Sequence, residues 1–241
     1  MDSLLGPLEQ AGDPLRFFLA TYRRTTLAVA DEIRAGGFTD GEWVERWDIV
    51  FASLYLDALE QWTASQTAPG PWAVSFEAAT GPHLPPLRHI LLGMNAHVNY
   101  DLPQSLLAAI TDGEFDDSEL VARRARDHSH IDDILIARVG PEDLELARVE
   151  DPGDRTLLDR AMTPFNRAGT KRFLKEARAK VWRNTRLLAA ARRLGPAAYD
   201  SRLRQLEELS RARVADLRRP GQVLVRLAVK GFGVELPETS P

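Results

Sequence analysis

The chain contains no cysteine. Disulfides, thiolate metal sites and a cysteine nucleophile are therefore excluded. Long apolar runs are missing as well: no window approaches the ~18 consecutive apolar residues of a membrane span. The first residues, MDSLLGPLEQAGDPL, carry acidic groups, no basic segment and only short apolar pieces. They do not read as a signal peptide. A cytoplasmic location without a membrane span is the expectation. An excess of positive charge is lacking too. The formal net charge is −4, so no global basic field draws the chain to nucleic acid. The basic clusters ARRLG and DLRRPG are surrounded by acidic residues. Five histidines limit any multi-histidine metal design. Four catalytic signatures are absent: a Gly-rich phosphate loop after a strand, a nucleophile elbow, His-Glu-x-x-His, and paired Glu-x-x-His motifs.

What remains is a globular composition. Hydrophobic residues make up 44% and charged residues 27% of 241 positions. That length buries a sizeable core without staples. Helical periodicity dominates. Asp13 before Pro14 opens one helix, which closes at Gly36 and Gly37. The next carries the apolar row Trp43, Trp47, Val50, Phe51, Leu54, Ala58 and Trp62. A short helix around 72–79 lies in a segment rich in Pro and Gly. A further helix runs from Leu102 or Gln104 to Ile110, and others start at Asp117 or Ser118, near 154, at Thr170 and after Pro196. Residues 140–154 read as a polar connector. The spacing predicts an all-α fold: one bundle-like domain, 1–241, of about seven to nine helices. Its core is 14–219, and 220–241 form an extended tail.

One stretch stands out. RHILLGMNAHVNYDLP, residues 88–103, is an apolar helix with His89, Asn95, His97, Asn99 and Asp101 set into it. It is read as ending before Pro103. His89, Gly93, His97 and Asp101 form a row at spacing four, neighbours on one helix surface. His97 and Asp101 are one turn apart, ~6 Å along the axis, and their side chains can share a proton or an ion. His89 and His97 are two turns apart, ~12 Å, too far to ligate one ion together. Gly93 costs the helix ~1 kcal/mol relative to alanine, which predicts a notch where a ligand or another backbone lies close. Asn95 and Asn99 read as structural, bonding to backbone at helix ends or in the Pro-rich loop. Tyr100 lies beside the row.

Two other helices place polar residues toward the core. Asp127 and His128 share a face with Ile131 and Leu135, whereas Asp132 and Asp133 read as solvated. Arg178 sits on an apolar arc with Trp182 and needs an anion, which Asp127, Asp101 or a ligand carboxylate could supply. An ordinary Asp–Arg pair is the plainer reading.

The segment HILLGMNAHVNYDLP resembles an uncharacterised bacterial family, a domain of unknown function, whose members carry a similar His-x-Leu-Leu-Gly-x-Asn-Ala-His-x-Asn-x-Asp-Leu motif. The blocks DHSHIDDIL and EARAKVWRNTRLLA look like its downstream helices. The resemblance covers most of residues 15–195 and implies a helical domain centred on 88–102, with no activity attached.

Three readings of function stay open. In the first, a small-molecule enzyme uses His97, Asp101 and His89 as acid–base groups, with Gly93, Tyr100, Arg178, Trp182 and Asp127 around the substrate. A divalent metal on His97 and Asp101 is the weaker version of this reading, and no other cofactor is indicated. In the second, the same pocket belongs to a non-catalytic module binding a small molecule or lipid. In the third, the polar helix is satisfied internally and the protein is structural. Oligomeric state is not readable.

Overall fold

The aromatic row of the second long helix is a column in space. Helix α3 (Gly41–Ser65) carries Trp43, Trp47 and Phe51 at spacing four. Their rings stack at 5.6 and 5.9 Å with interplanar angles of 12° and 9°. Asp40 caps the helix by accepting from the Trp43 N–H at 3.0 Å, and the Arg124 guanidinium covers the outer Trp43 face at 4.7 Å. Exposing any of these rings would forfeit ~1.5–3 kcal/mol.

This is a computed structural model, and it describes residues 1–149 and 166–238. Besides α3 it contains α1 (Asp2–Gln10), α2 (Arg16–Arg34), α4 (Gly70–Thr80) and α5 (Pro86–Ala96), followed by a π-helical turn (His97–Asp101). Then come α6 (Leu102–Ala109), α7 (Asp112–Asp116), α8 (Ser118–Val149), α9 (Asn166–Leu194), α10 (Pro196–Arg218) and α11 (Val223–Lys230). No strand occurs among the described residues. The fold is an all-α, bundle-like assembly. The segment from α5 to α6 runs through its middle: α2, α4 and α10 pack on α5, and α3 and α9 pack on α6. Leu92, Ala96 and Leu106 are fully buried.

Several elements differ from the sequence reading. The central helix does not stop before Pro103. It continues through a π turn, in which Leu102 N–H bonds to the His97 carbonyl. A proline cannot donate to a regular α ladder. The wider turn directly before Pro103 takes up the mismatch. Helix α8 likewise runs through Gly140 and Pro141 to Val149, where a polar connector was expected. Glu142, one residue after the proline, is held by Arg24 and Arg138, each at 2.5 Å. The tail is not wholly extended. Val223 and Leu227, one turn apart, are both buried, and this spacing makes 223–230 helical; 231–238 form neither helix nor strand. The short N-terminal helix α1 had no counterpart in the sequence reading. The helix read near 154 falls mostly outside the described residues, and its last residues, NRAG, are the first turn of α9.

Candidate functional site

His97 and Asp101 meet inside the core. His97 Nδ1 and Asp101 Oδ2 are 2.8 Å apart, and the same oxygen accepts the Trp72 indole N–H at 2.9 Å. His97 is 3% and Asp101 2% exposed. The carboxylate, as acceptor, places the imidazole proton on Nδ1. That leaves Nε2 as a lone-pair nitrogen, and it is buried with no hydrogen-bond partner. Burial pushes the His97 pKa below its ordinary value of 6.5, while Asp101 pulls the other way. Burial also pushes the Asp101 carboxyl up, opposed by His97 and then Trp72. With Asp101 accepting, a neutral His97 carries its proton on Nδ1 and leaves Nε2 as the free basic nitrogen.

Aromatic rings enclose it. Phe51 stacks on the imidazole at 3.6 Å and 6°, completing the column that begins at Trp43. Tyr22 stands edge-on at 4.6 Å, and Phe18, Tyr55 and Trp72 complete the cage at 5.9–6.0 Å. The Tyr22 hydroxyl is also buried without a hydrogen-bond partner. Burial, then the nearby Asp48 and Asp101 charges, raise its pKa well above the usual phenol value. Asp48 lies on α3, one turn before Ala52 and on the same stripe as Val44 and Tyr55. Burial raises its carboxyl to about 6. Sequence reading missed Tyr22, Asp48 and Trp72. A carboxylate interrupting an apolar stripe was a readable signal for Asp48. Nothing local could have paired Trp72 with Asp101.

The other expected site residues lie elsewhere. Gly93 is not an open notch. A Cβ there would lie 2.7 Å from Phe18 Cδ2 and 2.9 Å from Phe18 Cβ, so the missing side chain is what lets α2 approach α5. His89 does not join His97. It is buried against the start of α2, its ring 5.9 Å from Phe17, and burial first, then His83, depress its pKa to about 4. Tyr100 packs on the opposite side with Leu107, Leu188, Leu206 and Leu236. Arg178 pairs with Asp132, the residue read as solvated, and donates to the Ser129 hydroxyl at 2.8 Å. It is the ordinary ion pair, supplied by neither Asp127 nor Asp101. Asp127 accepts from the N–H groups of Thr39 and Asp40 at 2.8 and 3.0 Å and fixes the entry to α3. Trp182 is buried 5.9 Å from the His128 ring. Burial, then Arg178, lower the His128 pKa to about 3.

Asn95 and Asn99 hold backbone, but that of the C-terminal arm. Both donate to the Phe232 carbonyl, at 3.0 and 3.1 Å, and Asn99 Oδ1 accepts from Val234 N–H at 2.9 Å. Asn184 continues the clamp on Val234 and Leu236. The polar helix therefore has two faces with different work, one gripping the arm and one presenting His97.

Among the described residues, no three His, Cys, Asp or Glu side chains converge as a metal site. His97 and Asp101 are two potential ligands already bonded to each other. No curated protein and no solved structure is matched by this sequence. Residues 1–220 match one family model, and the chain belongs to that family, a family of unknown function designated DUF5995.

Proposed function

We propose that this protein is an enzyme acting on a small molecule by acid–base chemistry at His97. The observation that carries the reading is the imidazole Nε2, buried without a partner while Nδ1 is fixed by Asp101. Leaving a buried acceptor unsatisfied costs about 1–3 kcal/mol, and a substrate proton is the partner that would recover it. In this reading Nε2 accepts that proton, as a general base does. Asp101 then faces an imidazolium and stabilises it, with the Phe51 face adding a cation–π contribution. Tyr22, held neutral, donates a hydrogen bond to the substrate. Phe51 is the one ring of the five that is only partly buried, so its movement is the way in. The metal version has less support, because only two ligands converge.

A binding module is the second reading. Five rings around one hydrogen-bond acceptor suit a ligand with an apolar body and a single donor group. The two readings separate in one experiment. The protein is incubated with a small-molecule extract of cells, and the extract is profiled over time beside the His97→Gln variant. The expected result is consumption of a compound by the parent protein and a 10²–10⁴-fold slower loss with the variant. Equal rates for both proteins would remove His97 from the chemistry. Retention of a compound without turnover would establish the binding module instead.

A further inference from the structure

We propose that a pocket between the start of α2 and the α4–α5 connection binds a small oxyanion: the phosphate or carboxylate group of a small molecule. The pocket has a volume of about 360 Å³ and is lined by Arg16, Phe17, His83, Leu84, Pro86 and His89, among others. That is within the ~300–1,000 Å³ of small-ligand sites.

Its chemistry is one-sided. Arg16, His83 and His89 all contribute to the wall, and no lining residue is acidic. The Arg16 guanidinium lies over the Phe17 ring at 4.2 Å, and its Nη1 is buried with no hydrogen-bond partner. A buried guanidinium nitrogen left without a partner is costly, and an anion bonded to it is the group that best offsets the cost. His89 is 6% exposed. The charges acting on it are His83 and Arg16, opposed by Asp13. Asp13 is already engaged, its Oδ1 accepting the Leu15 N–H at 2.9 Å. The walls include the first turns of two helices, Arg16 and Phe17 of α2 and Pro86 and His89 of α5. The positive ends of both helix dipoles therefore lie at the pocket. His89, depressed to about 4 by burial and then by His83, would gain a proton more readily beside an anion.

The site uses neither His97 nor Asp101, so it stands or falls separately from the acid–base reading. The test is a titration of the full-length protein with inorganic phosphate and, separately, with acetate, at constant ionic strength held by chloride. The imidazole NMR signals of His83 and His89 are followed. Saturable shifts are expected with at least one anion, together with a rise in the His89 titration midpoint of about one pH unit or more. The tighter anion identifies the group recognised. Arg16→Gln should weaken the affinity at least ten-fold, and His83→Gln is the second variant should Arg16→Gln fail to fold. Shifts that fail to saturate with either anion, or affinities unchanged in the variants, would overturn the proposal.

Discussion

Ending the chain after Lys230 is expected to cost about 5 kcal/mol or more of folding stability, a large part of the ~5–15 kcal/mol typical of a domain. The removed arm inserts Phe232 and Leu236 into the core, at 7% and 0% exposure. Each contributes ~1.5–3 kcal/mol by burial. The arm's backbone is held along its length. Glu176 accepts from the N–H groups of Phe232 and Gly233, Asn95 and Asn99 grip the Phe232 carbonyl, and Asn184 grips Val234 and Leu236. Each such bond adds ~0.5–1.5 kcal/mol net. Ending the chain after Pro237 is the control. Of the described residues it removes only Glu238, which is exposed and pairs with Arg183, and surface pairs contribute ~0–1 kcal/mol. Urea unfolding should show a large drop in midpoint for the first truncation and almost none for the second. Equal midpoints would mean that the arm is not part of the core. The arm lies beyond residue 220, where the family match ends, yet two asparagines of the central motif hold it.

Gly93→Ala should destabilise the protein by ~1–3 kcal/mol, against the general trend for a helix-interior glycine. Alanine favours the helix by up to ~1 kcal/mol, and an open notch would keep that gain. The space is instead filled by the root of the Phe18 side chain. Phe18 has little freedom to yield. It stacks on Tyr22 at 5.7 Å and meets Tyr55 and Trp72 at 4.9 and 5.6 Å. Overpacking of this kind costs ~1–3 kcal/mol. The thermal midpoint of the variant should fall. A midpoint at or above that of the parent protein would restore the notch.

The parts of this site that were legible in the sequence are those fixed by one helix. Spacing four brought His97 to Asp101, because both positions belong to the same turn. The apolar row of α3 was legible for the same reason. Partners from other helices were not. Trp72 reaches Asp101 only because α4 packs on α5. Arg178 found Asp132 rather than Asp127 because α8 is rotated so that Asp127 faces the α2–α3 loop. Gly93 shows the limit most clearly. A sequence records that a side chain is missing, but what occupies the space is decided by a helix about seventy-five positions earlier in the chain. Asn95 and Asn99 were readable as backbone-binding groups, but the backbone they bind lies some 130 residues away.

The central claim is that His97 presents an unprotonated Nε2 to the aromatic cage. Nitrogen-15 NMR of the histidine side chains tests it most directly, with His97 assigned by its loss in His97→Gln. At pH 6.5, where an ordinary histidine is half protonated, His97 should be neutral, with its proton on Nδ1 and a bare Nε2. Lowering the pH should charge it only after an exposed histidine has titrated, because burial depresses its pKa. A His97 carrying its proton on Nε2, or doubly protonated at pH 6.5, would contradict the account.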